Sequence, residues 1–240
     1  MKIYRGVRSN VLTQPFGVNR AFVKLGTNGI PIRPFIVSGS LNGKCPEGYI
    51  PFYKALKMKG HNGIDFATWR SEPVYHCADF DGWIRTEIDG DGGIGIDIIS
   101  LEPLLVCKET GKKEYIKMRY WHGLKNQWHG QDIPTFRHIT LYKDFVVKMG
   151  EIVALSNNSG ASSGNHLHKG LKWCDKNGNG IQGGNGYRGA IDINDMFENK
   201  FVLDVVQVKT EALSVIQLAR KVLFIAQQYI KDISRLSNNQ

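Results

Sequence analysis

The sequence predicts a mainly β (α+β) protein, an antiparallel β-sheet core followed by a long C-terminal amphipathic helix. Three observations predict it. From about residue 60 to residue 195, apolar and polar residues alternate over short segments broken by glycine, the pattern of half-buried antiparallel strands. No long helical pattern interrupts this region, which argues against a parallel α/β sheet. From Val208 to Leu236 the apolar period becomes helical.

Residues 1–50 contain the turn-rich segments Gln14-Pro15-Phe16-Gly17 and Ile30-Pro31-Ile32-Arg33-Pro34. They read as an N-terminal extension of loops and short strands packed on the core. The main domain is expected over 51–205. Its strands are expected at 63–67, 74–78, 82–87, 95–100, 104–108, 115–120, 151–156 and 166–173. Residues 206–240 form the C-terminal helix. Its stripe is Ala212, Val215, Ile216, Ala219, Val222, Leu223, Ala226, Ile230 and Ile233, with Lys221, Gln227, Lys231 and Arg235 off it. Such a helix docks on its own domain or self-associates. Mixed charge on the polar face disfavours a membrane surface.

With 240 residues, of which 42% are apolar, the chain can bury a real core. A formal charge of +9 implies anionic surroundings, namely nucleic acid, lipid or a wall polymer. Lys and Arg are scattered, so no specific nucleic-acid partner is indicated. Cys45, Cys77, Cys107 and Cys174 form no CxxC pair, which excludes zinc-finger spacing and favours free thiols. The opening Met1-Lys2-Ile3-Tyr4-Arg5-Gly6-Val7-Arg8 lacks a secretory apolar stretch, so no signal peptide is expected. No apolar run of about 18 residues provides a transmembrane segment.

Chemistry concentrates in three motifs. His166-Leu167-His168 follows the Gly/Ser-rich run 157–165, and two imidazoles two positions apart share a face only on a strand. His61 and Asp65 lie in Gly60-His61-Asn62-Gly63-Ile64-Asp65-Phe66, where glycine disfavours a helix. On a strand, 61, 63 and 65 would share one face, with Gly63 leaving room for an ion. His168 could complete a three-ligand site with an open position, as catalytic zinc prefers. His166 would then lie near the metal without binding it. His122, in Tyr120-Trp121-His122-Gly123-Leu124, is a further candidate. Any one of these histidines could instead be a hydrogen-bonded core or surface residue, and His76, His129 and His138 are read that way. Asp175-Lys176-Asn177-Gly178-Asn179-Gly180 opens like a calcium loop, but its twelfth position is Gly186, so a glycine-rich surface turn is expected.

Taken together and in order, His61-Asn62-Gly63-Ile64-Asp65, Tyr120-Trp121-His122-Gly123-Leu124 and Ser159-Gly160-Ala161-Ser162-Ser163-Gly164-Asn165-His166-Leu167-His168 resemble the lysostaphin-type zinc endopeptidases of bacterial peptidoglycan. Pro73-Val74-Tyr75 with Asp81-Gly82-Trp83-Ile84, the run 147–154, and Ile191-Asp192-Ile193 add to the likeness, which covers roughly residues 50–195. The resemblance implies a small antiparallel sheet under a walled groove, Zn2+ held by His61, Asp65 and His168, and two catalytic histidines, His122 and His166. Lys169-Gly170 stand where that family commonly has Phe-Glu, and Gly123 is inserted before the leucine. Tyr53 is the nearest upstream tyrosine, out of register with the family's. Residues 125–143, with Trp128 and Phe136, are expected to wall the groove. The implied activity is cleavage of peptide cross-links in peptidoglycan by a phage lysis or virion-associated enzyme acting at the cell wall. The alternatives are a zinc D,D-carboxypeptidase and a non-catalytic structural or activator module of the same fold.

Overall fold

The computed structural model describes residues 1–14, 16–17, 53, 57–89, 93–124, 127–128, 131–132, 140–160, 162, 164–181 and 185–237. Ile30 to Pro34, Cys45, His129, Phe136 and His138 lie outside the described residues.

The strands are β1 (Ile3–Arg5), β2 (Leu12–Gln14), β3 (Ile64–Ala67), β4 (Pro73–Tyr75), β5 (Gly82–Asp89), β6 (Gly93–Ser100), β7 (Leu105–Val106), β8 (Lys113–Trp121), β9 (Gln127–Trp128), β10 (Gln131–Asp132), β11 (Thr140–Val147), β12 (Ile152–Leu155), β13 (His166–Cys174), β14 (Ala190–Ile191) and β15 (Phe197–Phe201). Among the described residues, the main sheet runs β11-β5-β6-β8-β13-β3-β2, with β14 beside β13 and β7 beside β8. All of these pairings are antiparallel. A second pair, β4 and β12, is also antiparallel, whereas β1 and β15 run parallel. The structure is therefore mainly β with one C-terminal helix, α1 (Val202–Ser237).

Alternation gives the sheet two unlike faces. Ile64, Phe66, Ile84, Ile96, Ile98, Met118, Tyr120, Leu167 and Leu171 share the back face and are buried. Ile3, Tyr4, Val7, Val74, Cys77, Val153 and Ile193 are among the other buried apolar residues. The front face carries the other registers, including Asp65, His166 and His168.

The back face holds one cation. Lys169 is fully buried, donates from Nζ to the Tyr4 carbonyl, and sits 4.3 Å and 5.1 Å from the Phe197 and Phe66 ring centroids. Burial pushes its ammonium down to about 8. His76 is buried too. Its Nε2–H donates to the Phe80 carbonyl (2.7 Å), and its Nδ1 accepts from the Tyr120 hydroxyl (2.8 Å). Cys77, Cys107 and Cys174 are buried free thiols. The segment at Asp175 is a turn: the carboxylate Oδ1 accepts from the Asn177 and Asn179 amides, at 2.8 and 2.9 Å.

Strand β11 was not expected, because residues 125–143, which include its first half, were read as a groove wall. It pairs edge-on with β5. The short strands β1, β2, β14 and β15 were also missed, since two to five residues are too few to establish a period. The chain divides into two compact units, residues 1–202 and 203–240. Within the second, Val208, Leu213, Val215, Ile216, Leu218, Val222, Leu223 and Phe224 are exposed, and no helix is long and apolar enough to cross a membrane among the described residues.

Two stability effects are expected. Lys169→Ala leaves the Tyr4 carbonyl and a cavity uncompensated, lowering urea-derived stability by about 2–4 kcal/mol. Burial holds the folded His76 at about 4, below its unfolded value of 6.5. The unfolded chain therefore binds more protons between those values. Stability is full above about pH 6.5 and falls on acidification toward 4, by up to ~1.4 kcal/mol per pH unit from this group. His76→Gln should flatten the dependence of the urea midpoint over that range.

Candidate metal centre

Antiparallel register places His168 of β13 directly opposite Asp65 of β3. Both point from the front face, because each occupies the same phase of the pleat. His61 reaches them differently. It was expected on the strand with Asp65, but β3 begins only at Ile64. Residues 61–63 bend back over the sheet instead. Gly63 makes that approach possible: a Cβ there would lie 2.4 Å from the Lys169 carbonyl oxygen and 2.6 Å from His168 Cε1. The space at Gly63 thus admits the His168 ring, where the sequence had suggested room for an ion. Gly170 serves the same bend from below, since its Cβ would meet the Asn62 carbonyl at 2.9 Å.

Three donor atoms converge as a result. His61 Nε2 lies 3.1 Å from Asp65 Oδ1 and 2.9 Å from His168 Nδ1, and His168 Nδ1 lies 3.0 Å from Asp65 Oδ1. These edges are slightly shorter than the ~3.3 Å between donors of a tetrahedral zinc site, a contraction expected where hydrogen bonds span the gap. A bound ion would be held by His61 Nε2, Asp65 Oδ1 and His168 Nδ1. Two imidazoles and one carboxylate are a zinc-type donor set. Among the described residues, this trio is the group of His, Cys, Asp or Glu able to hold a metal.

The electrostatics favour the charge states such a site needs. Burial alone would raise the Asp65 carboxyl, but the adjacent His61, His166 and His168 imidazoles hold it well below the usual carboxylate range. Burial pushes His168 down to about 3, against the pull of Asp65. The result is a carboxylate beside a neutral imidazole at neutral pH, and only the neutral ring has a lone pair to donate.

The remaining two histidines flank this trio. His166, two residues before His168 on the same face, has Nε2 3.6 Å from Asp65 Oδ2. Its Nδ1–H donates to the Gly164 carbonyl (2.8 Å), with Ser162 Oγ 3.0 Å from the same nitrogen. His122 follows the last residue of β8 and adopts a left-handed φ of 66°. Its Nδ1–H donates to the Ser159 carbonyl (2.7 Å). Ser159 is itself tied down: its Oγ donates to the Gly123 carbonyl (2.9 Å) and accepts from the Ile94 amide (3.1 Å). The two rings stack at 4.3 Å between centroids. Burial, then His166, pushes His122 down to about 4. In both rings the Nδ1–H bond to a carbonyl leaves the neutral lone pair on Nε2.

All five sequence-expected residues, His61, Asp65, His122, His166 and His168, therefore gather at one place. Tyr53 is also near: its ring centroid is 6.4 Å from that of His61, and Gln14 Nε2 donates to its hydroxyl (2.7 Å). The expected groove wall is described only in part, as the hairpin β9-β10. The orienting role of Ser159 was missed. The Gly/Ser-rich run marked the loop, but nothing in it indicated which serine would brace His122.

No family model and no curated protein matches the chain. Among solved structures, it is similar to the catalytic domain of the antimicrobial peptidase lysostaphin from Staphylococcus simulans, at 21% identity over 56% of this chain and 77% of that chain, TM-score 0.34. It is similar to the catalytic domain of the prophage-encoded M23 protein EnpA from Enterococcus faecalis, at 21% identity over 51% of this chain and 75% of that one, TM-score 0.33. Against a zinc-containing peptidase from Vibrio cholerae the identity is 25%, over 46% of this chain and 26% of that chain, TM-score 0.32.

The packing at Gly63 yields a direct test. Gly63→Ala should displace the His168 ring and lower zinc affinity at least ~10-fold. Chelator competition measures the affinity, and far-ultraviolet circular dichroism checks that the sheet persists.

Proposed function

We propose that this chain is a zinc-dependent endopeptidase that cleaves peptide cross-links in bacterial peptidoglycan, with His61, Asp65 and His168 as metal ligands and His122 and His166 as catalytic bases. The observation that carries this reading is the convergence of His61 Nε2, Asp65 Oδ1 and His168 Nδ1 within 2.9–3.1 Å of one another, flanked by two imidazoles. The ordered motif resemblance supports the choice of peptidoglycan. The net charge of +9 suits a lysis or virion-associated enzyme that meets an anionic wall.

Zinc, when bound, would supply Lewis acidity toward the scissile carbonyl and lower the pKa of a water. The chain's own residues do the rest. Asp65 compensates cationic charge in a buried setting. His122 and His166, each fixed through Nδ1, hold Nε2 lone pairs that can take a proton from water and return it to the departing amine. The left-handed backbone at His122 costs about 1–3 kcal/mol, and the bonds around Ser159 hold it in place.

Purified walls provide the test. Wild-type protein should carry about one zinc per chain and release peptide fragments identifiable by mass spectrometry. His122→Ala should keep the zinc and lose at least ~100-fold in wall solubilisation. Retained lysis by that variant, or wild-type protein that takes up no zinc, would overturn the proposal. Release of D-Ala without solubilisation would identify a carboxypeptidase instead.

A further inference from the structure

The front face carries a second concentration of charge that the chemistry above does not use. Beyond Gly170, β13 presents Lys172, which pairs directly with Lys117 of β8. Arg119 lies opposite Gly170 on one side and Asp97 of β6 on the other. Arg85 of β5 pairs with Asp97. Two carboxylates sit among these four cations. Asp97, fully buried, takes Arg119 Nε at 2.9 Å and Lys117 Nζ at 2.7 Å, and Glu87 lies 3.4 Å from Arg119 Nη2. Counting Asp175, which acts on Arg85, one positive charge remains in excess.

Like charges directly opposed across a ladder destabilise a sheet, and here the opposition occurs at partly buried positions. Lys172 gains neither a hydrogen bond nor an ion pair among the described residues. Burial, then Arg119 and Lys117, push its ammonium down to about 7. An anion from outside would compensate the half-buried Lys172 beside these two cations.

The place is joined to the metal centre. Arg119 stacks 4.1 Å from the Trp121 ring, and Trp121 is the cross-strand partner of His168. The bend at Asn62 and Gly63 crosses β13 at Gly170, so His168 and Lys172 stand on its two sides. Four residues of strand separate them, about 13 Å along β13, and a peptide reaching from one to the other passes over the bend.

We propose that Lys172, Lys117 and Arg119 form an anion subsite that takes a carboxylate of the substrate peptide, an inference resting on the peptidase reading for its substrate class. Arg119 already holds Asp97 through its guanidinium, and Lys172 supplies the free ammonium. The subsite selects peptides by their charge some residues away from the scissile bond.

The test titrates full-length, zinc-loaded protein calorimetrically with acetyl-tetraalanine, with the same peptide as its C-terminal carboxamide, and with inorganic phosphate. The carboxylate form should bind at least ~10-fold more tightly than the carboxamide. Lys172→Met should erase that preference without lowering the urea midpoint, Lys172→Arg should keep it, and Lys113→Met, at the exposed start of β8, should leave it unchanged. Equal binding of acid and amide by wild type overturns the subsite. So does a preference that survives in Lys172→Met, which would place the carboxylate on the metal, and so does binding of phosphate alone. Zinc content and wall solubilisation are read on the same preparations. Protein that cuts walls without an acid preference refutes only the subsite, and an acid preference lost in Lys172→Met by protein that cuts nothing refutes only the peptidase reading.

Discussion

Everything at the candidate site depends on the register between β3 and β13. Because Asp65 faces His168 across an antiparallel pair, two donors separated by 103 positions in sequence come within 3.0 Å without any loop having to hold them. A slip of β3 by one residue would turn Asp65 to the back face and put Ile64 and Phe66, now buried in the core, on the front. Apolar burial on one side therefore enforces the polar geometry on the other. Only His61 is brought by a bend, and glycine at 63 and 170 lets that bend lie close against the strand.

The two faces divide the physical work. Isoleucines 84, 96 and 98 with Met118 and Leu171 form an apolar back whose strands are long enough to fix register. The front accumulates groups that are costly to bury: imidazoles, carboxylates, lysines and two arginines. Lys169 is the exception, a cation on the apolar side, and it is accommodated by one carbonyl and two aromatic rings. That the position after the histidine pair holds lysine, where the resembling family commonly has phenylalanine, is thereby explained. The lysine stem fills the apolar volume while its head reaches Tyr4.

Much of this was legible in the chain. The alternation in 82–87, 95–100 and 115–120 is strong because those strands lie in the sheet interior, one face apolar and the other not. The three motifs were legible because histidines and an aspartate at strand spacing within glycine-rich surroundings are uncommon. What was hidden depends on tertiary approach. His61 read as a strand residue because its period with Asp65 suits either a strand or a bend, and only the closeness of β13 decides between them. The bracing of His122 by Ser159 runs through a main-chain carbonyl, which any residue could offer. The opposition of Lys172 and Lys117 needs the register, which no local pattern contains. The helix was expected from residue 206 and begins at Val202, four residues into what read as the end of the domain.

The parallel pairing of β1 with β15 has a bearing on how the molecule is handled. Ile3 aligns with Phe197, and Ile3, Tyr4 and Val7 are all buried, so residues 3–7 are structural members of the core. Trimming them would open the hydrophobic interior and release the anchor of Lys169 together. Cleavage within residues 3–7 is thus incompatible with an intact core.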